Sequence, residues 1–299
     1  MRKNTMIYSI LLLLLLAGLL LTGFAGTKTA VVPAPVAAPA ALAAAPPLHG
    51  SPLQPIALQS NCPLTVKFQG AVGVYAKNLK TGQMITLNPD EIFAAASTIK
   101  VPVSIVVYRH FYEQADPATR RVYDTGIELM MTISENDYFT DFLDEIEEAI
   151  GPEKIRQHFA TLGMTHTTIR DSQARNAFGY SNVTTARDMG VIFEQLYRGN
   201  LLNAEKTNFM LEGLSHSIFP DELARHMQDR RVFHKIGELD DVLADVGIVE
   251  GKNGPVLISI FTETPLEGDY ASDYIAAVSA CVYSRLTGET TAWKRPDSI

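Results

Sequence analysis

The feature that most restricts the fold is where the β-prone segments fall. They gather near the two ends of the chain and leave a long helical stretch between. Ala71 to Ala76 and Gln83 to Leu87 are rich in strand formers and flank "KNLKTG", whose Thr81-Gly82 pair suits a short reversal, so an antiparallel hairpin is expected. Far downstream, "RRVFHKIGELD", "DVLADVGIVEG" and "GPVLISIFTET" are β-rich runs separated by short polar turns, the layout of a meander. Between them, "STIKVPVSIVVYRHFYEQ" is too long for a strand and tolerates Pro102 near a first turn, so it reads as a buried helix. Thr119 to about His216 is mostly helical in pattern. "DYFTDFLDEIEEAI" places Phe139, Phe142, Leu143, Ile146 and Ile150 on one face and its acidic run Asp144 to Glu148 on a solvated one. "TTARDMGVIFEQLYRG" opens on threonine caps, with Arg187 and Asp188 as a structural pair, and stops at Gly199. "ASDYIAAVSACVYSRLTG" closes the pattern as an amphipathic helix starting near Ala271 or Ser272, with Gly288 past its end. The expectation is an α/β (α+β) protein. The first two and last three strands form one five-stranded antiparallel sheet flanked by terminal helices, and an all-helical lobe at about 119–216 is inserted. A crevice between two such lobes is a natural place for a site.

Arg2 and Lys3 precede an uncharged apolar run from Ile7 to Gly26, with small residues near its end. Residues 1–26 therefore read as a secretory signal cut after Ala25, or as an uncleaved anchor over 7–26. Phe24 stands where a lipid-bearing cysteine would be needed, which excludes lipidation. Either way the bulk of the chain is expected to be exported, secreted, periplasmic or at the cell surface. Residues 27–60 are rich in Ala and Pro and nearly uncharged, as in an extended tether, leaving 61–299 as the folded domain, read as a monomer. In an oxidising compartment Cys62 and Cys281 can be a disulfide, or they can be two separate buried thiols.

A net charge of -8 and a pI near 5.4 argue against a nucleic-acid partner. No glycine-rich phosphate loop is present, and the histidines and cysteines lack metal-ligand spacing, so neither cofactor nor metal is expected. Membrane contact is expected only through the N-terminal segment.

Three short segments can line the crevice: Ser97-Thr98-Ile99-Lys100, Ser134-Glu135-Asn136, and Lys235-Ile236-Gly237. Taken alone, the first is an ordinary helix start with a capping serine. As chemistry, it places an amine one helical turn from a hydroxyl. A serine becomes a nucleophile only when a base takes its proton, and a lysine of lowered pKa can be that base. Backbone N–H groups at the helix start, with that of Glu238 on an adjoining strand, would hold the developing oxyanion. Ser134 would relay a proton, Asn136 pair with a substrate amide, and Lys235 supply a positive charge for a substrate carboxylate. His234 is read as packing on the strand's other face.

The order S-x-x-K, S-x-N, K-x-G resembles the penicillin-recognising serine hydrolases, whose set is S-x-x-K, S-D-N and K-T-G. The flanks "HKIGELDDVLADVGIVEG", "NVTTARDMGVIFEQL" and "MMTISENDYFTDFL" are similar to the class A β-lactamase branch, and the likeness spans about Phe68 to Leu286. That resemblance implies the β-lactamase/transpeptidase-like two-lobed fold, acylation of Ser97, and β-lactams or D-alanyl peptides of peptidoglycan as ligands. Where class A enzymes carry a water-activating loop glutamate, this chain has "IRDSQARNAFGYSNVTT", with Gln173 near the place and no glutamate. An amide is not a general base. Ile236 replaces the usual threonine, and Glu135 replaces aspartate. Acylation with impaired deacylation is therefore expected. A cell-wall D,D-peptidase or esterase, or a non-hydrolysing sensor of penicillin or peptidoglycan, stands beside the β-lactamase reading.

Overall fold

The computed structural model describes residues 62–65 and 67–293. The signal or anchor and the Ala/Pro-rich tether lie outside the described residues. β1 (Ala71–Asn78) and β2 (Met84–Leu87) form the expected antiparallel hairpin, with Val74 opposite Leu87. β5 (Val232–Glu238), β6 (Val242–Val249) and β7 (Val256–Glu263) form the meander. β1 pairs along its whole length with β7, so the two ends of the chain meet in one five-stranded sheet of order β2-β1-β7-β6-β5. β5 is an edge.

Both faces of this sheet are covered, which explains why its strands read as nearly continuous apolar runs. Tyr75, Val246, Leu257 and Phe261 face the helical lobe, while Val74, Val249, Ile258 and Ile260 face the C-terminal helix. The buried helix expected after Ser97 is α1 (Lys100–His110), preceded by a 3-10 turn over Ala96–Ile99. Every residue from Lys100 to Tyr108 is buried, as an all-round apolar helix must be, and Pro102 sits in its first turn. The lobe then comprises α2 (Pro117–Thr132), α3 (Asp137–Ile150), α4 (Pro152–Thr161), α5 (Ser172–Phe178), α6 (Ala186–Tyr197) and α7 (Ala204–Ser215). Its helical run is broken by a loop at 162–185 and by the short pair β3 (Phe93–Ala94) and β4 (Val183–Thr184). This pair lays the loop against the segment that leads into Ser97.

α8 (Tyr270–Thr287) closes the described fold, with Gly288 in the left-handed conformation at its end. Cys62 and Cys281 form a disulfide that ties the turn at Pro63–Thr65 to α8, so the alternative of two thiols falls. Thr185 caps α6 as expected by accepting from the Asp188 N–H at 3.0 Å. Arg187 and Asp188 do not pair with each other. Arg187 is held bidentately by Asp90, and the buried Asp188 carboxylate accepts from the His166 N–H and the Thr167 hydroxyl. The acidic face of α3 is not simply solvated either, because Arg170 from the loop reaches Asp144 and Glu147.

Gly126 in α2 is where α3 comes closest. A Cβ there would lie 2.5 Å from Phe142 Cζ and 2.7 Å from Tyr138 Cδ1, both on α3. Helix propensity favours alanine over glycine by up to about 1 kcal/mol, whereas wedging a methyl between packed rings costs about 1–3 kcal/mol. Overpacking should win. Gly126→Ala is expected to lower the urea midpoint of unfolding, and a raised midpoint would show that α2 and α3 can separate freely.

Candidate active site

The three sequence motifs converge. Lys100, at the first position of α1, is about 1% exposed, and its Nζ lies 3.1 Å from Ser97 Oγ. The same amine donates to the Ser134 carbonyl and to Asn136 Oδ1, both at 2.6 Å, and lies 3.2 Å from Ser134 Oγ. A neutral amine has two N–H donors and one lone pair. The two short carbonyl contacts occupy the donors and leave the lone pair for the Ser97 hydroxyl. Burial lowers the Lys100 pKa to about 8, against a smaller opposing pull from Glu135.

Ser134 is the hub between the two lysines. Lys235 Nζ, also about 1% exposed, donates to Ser134 Oγ at 2.8 Å and to the Ile236 carbonyl at 3.0 Å. Its pKa is lowered to about 7, first by burial and then by the neighbouring Lys100 charge, with Asp245 opposing. The fixed positive charge expected from the sequence is therefore only partly present near neutrality. An arriving carboxylate would restore it.

Local backbone explains how these groups are aimed. Ser134 has φ +59° and Ala96, just ahead of the nucleophile candidate, has φ +44°, a left-handed region that non-glycine residues rarely occupy. Ser-x-x-Asp spacing would also suit Ser134 as a plain helix cap, but Glu135 caps α3 instead by accepting from the Asp137 and Tyr138 N–H groups at 2.9 and 2.8 Å. Asn136, at the helix boundary, makes no capping bond with its side chain and turns to Lys100 instead. The Glu for Asp change in this motif thus spends its charge on the helix end.

Gly237 permits the close approach of β5 to the turn that carries Ser97. A Cβ there would fall 3.0 Å from Thr98 Cγ2, 3.1 Å from Ala96 Cβ and 3.2 Å from Thr98 N. Leu239 and Val242 exchange backbone bonds at the hairpin turn, so alternate β5 residues direct their N–H and C=O away from β6. Glu238 has this outward phase, toward the turn over Ala96–Ile99 packed on that edge. Thr98 N–H is the first to bond back within the turn, to Ala95 O, so the Ser97 N–H is not spent on it. The Glu238 N–H thus leaves the β5 edge on the side where the turn carrying Ser97 packs.

His234 is buried on the opposite face of β5 and its Nδ1 pairs with Asp245, as packing rather than as part of the site. Gln173 is exposed on α5, whose start is capped by Asp171. Among the described residues, no carboxylate bonds to Lys100 or Ser97. The Ser134 carbonyl could not be foreseen as a lysine acceptor, because the contact accompanies the left-handed backbone at Ser134.

A sequence profile of the beta-lactamase enzyme family matches residues 63–126 and 116–286. The chain belongs to the beta-lactamase enzyme family. Among its relatives, β-lactamase 1 of Bacillus cereus is 23% identical over 249 residues, 73% of this chain and 80% of that protein. The β-lactamase of Sphaerobacter thermophilus shares the fold at a TM-score of 0.62 and 22% identity, over 73% of this chain and 92% of that one. PBP-A superposes at a TM-score of 0.65 and 21% identity, over 80% and 99% of the two chains. A mutant of PBP-A is known as an acyl-enzyme complex with penicillin G, at a TM-score of 0.63 and 22% identity, over 73% and 91%. These structural likenesses establish the β-lactamase fold.

The Asn136 contact predicts a specific response. Asn136→Asp places a carboxylate beside the Lys100 ammonium, and an opposite charge favours the charged form. The pH at which Lys100 becomes half-reactive toward a small amine reagent, located by peptide mass mapping, should climb from about 8 toward the ordinary lysine range. An unchanged value would mean that Asn136 does not face the amine in solution.

Proposed function

We propose that this family member is a serine hydrolase of the class A β-lactamase type that is acylated at Ser97 by β-lactams or D-alanyl peptides and releases the acyl group slowly. The observation that carries the reading is the Lys100 amine 3.1 Å from Ser97 Oγ, with its N–H groups already engaged by two carbonyls. Lys100 takes the Ser97 proton as Oγ attacks the substrate carbonyl. The Ser97 and Glu238 N–H groups receive the oxyanion. Ser134 Oγ, between both amines, passes a proton to the departing nitrogen. Asn136 meets the substrate amide, and Lys235 draws the substrate carboxylate.

Deacylation needs a base for water, and the loop offers an exposed glutamine in place of a carboxylate. Glu135, the carboxylate that acts on Lys100, spends its oxygens on the α3 N-terminus. Both points favour a long-lived acyl-enzyme, as a cell-wall D,D-peptidase or a penicillin sensor would form. Burial of Ile236 where a hydroxyl would grip the carboxylate weakens the β-lactamase reading further and leaves room for an ester substrate. The disulfide supports an exported setting, since such links persist in oxidising compartments.

Incubation with penicillin G and intact-mass measurement should give a stoichiometric adduct on Ser97 that persists for minutes or longer. Lys100→Ala should abolish it while the fold survives. Loss of the adduct within seconds would require a water-activating group outside this account, and no adduct would remove the acylation reading.

The pH profile follows from the two lysines. Acylation requires neutral Lys100, which accumulates as pH rises through about 8, and charged Lys235, which is lost as pH rises through about 7. The second-order acylation rate should therefore be bell-shaped, with its maximum near pH 7–8. A rate that is flat between pH 6 and 9 would contradict these roles.

A further inference from the structure

Ser134 and Asn136 bring the start of α3 against Lys100, and the next turn of that helix adds an aromatic ring. Residues three apart on a helix share a face, so Asn136, whose side chain accepts from Lys100, is followed on that face by Phe139. The centroid of the Phe139 ring lies 5.7 Å from Lys100 Nζ. Farther along α3, Phe142, Leu143 and Ile146 continue the apolar side and are buried in the core. Phe139 packs against that core but is only half-buried, at the border between the core and the site.

The ring offers the amine no hydrogen bond, so its effect is to occupy space that water would otherwise take. Among the described residues, the hydrogen-bonding neighbours of Lys100 Nζ are the Ser134 carbonyl and Asn136 Oδ1, both at 2.6 Å, and the Ser97 and Ser134 hydroxyls at 3.1 and 3.2 Å. These groups fill the space around a tetrahedral nitrogen. A π-face attracts an ammonium and would raise its pKa, but the ring stands at the far end of the range where that attraction acts. Burial wins, because the Lys100 pKa is lowered. The ring therefore acts on the amine by keeping it dry.

Resting on the acylation reading above, we propose that Phe139 is a water-excluding residue that sets the lifetime of the acyl-enzyme. Once Ser97 is acylated, its Oγ is an ester oxygen without a hydrogen. Lys100, having passed its proton through Ser134 to the leaving nitrogen, is neutral again with its lone pair open. Hydrolysis through that lone pair needs a water at the amine. The water gives a proton to Nζ, its oxygen bonds the acyl carbon, the bond from that carbon to Ser97 Oγ breaks, and the proton returns to Oγ. Ester and water become acid and free serine. Phe139 fills the α3 side of the amine, from which such a water would come, so the neutral Lys100 stays idle. Phe139 acts through Lys100 and touches no reacting atom. Slow release then has a second cause beside the missing loop carboxylate.

The test uses three variants. Phe139→Ala opens the space, Phe139→Thr opens it with a polar side chain suited to a half-exposed position, and Phe139→Leu keeps most of the apolar bulk. Each is labelled with penicillin G, freed of excess, and followed by intact mass as the adduct is lost. Both opening variants should shed the adduct about tenfold faster or more, a small part of what a positioned base contributes. Phe139→Leu should keep the unmodified lifetime. In the opening variants the rising limb of the acylation rate against pH should also move to higher pH. Water beside Lys100 relieves the desolvation that lowers its pKa, while Glu135 and Lys235, the charged groups that act with it, are unchanged. Loosened packing alone would leave that limb in place. An unchanged adduct lifetime in either folded opening variant, or loss of the adduct within seconds from the unmodified protein, would overturn the role of Phe139 and leave acylation at Ser97 standing. If the unmodified protein forms no adduct, the acylation reading fails and this proposal falls with it.

Discussion

The site depends on one amine that has been taken out of water and placed against a hydroxyl. An isolated buried ammonium costs on the order of several kcal/mol, so a fold keeps it only by supplying acceptors or by letting it give up its proton. Lys100 has both arrangements available. Two carbonyls at 2.6 Å accept its N–H groups, and burial pulls its pKa down until the neutral form is within reach of physiological pH. A second buried amine, Lys235, shares Ser134 with it, and there the Lys100 charge adds to burial in lowering the pKa. The rest of the architecture is what makes this pairing tolerable. A sheet closed on both faces provides the dry setting, an edge strand with a glycine allows close approach, and two left-handed turns aim the groups.

The chemistry that follows is asymmetric. On the proposed reading, the groups for acylation, Ser97, Lys100 and Ser134, lie within hydrogen-bond reach of one another, while among the described residues no carboxylate bonds to Lys100 or Ser97. The loop at 162–185 acts as a tie, joining α3, the strand ahead of Ser97 and the β5–β6 turn. Hydrolysis, peptidase action and sensing, the proposed readings, would differ in a handful of side chains around this serine.

Much of this was legible in the sequence because it follows short-range rules. The hairpin, the meander, the buried helix after Ser97 and the closing helix obey periodicity and turn chemistry. The motif order then sufficed to place Ser97, Lys100, Ser134, Asn136 and Lys235 at one site. What could not be read depended on contacts between distant segments. Nothing local distinguishes Glu135 as the helix cap from Ser134, since the choice is made by the left-handed φ at Ser134. Arg187 and Asp188 look like a neighbouring pair, yet their partners are 97 residues upstream at Asp90 and in the loop at His166 and Thr167. The lowered pKa of Lys235 was equally hidden, because a strand lysine is ordinarily solvated and only the fold buries this one beside another cation.

For Ser97 to attack as proposed, Lys100 must be a weak enough base to be neutral near physiological pH. Titration of the lysine side chains by NMR in protein carrying isotope-labelled lysine, with Lys100→Arg to assign the signal, measures this directly. The Lys100 resonance should titrate near pH 8, well under the ordinary value of 10.5. A Lys100 signal that stays fully protonated up to the ordinary lysine range would contradict it.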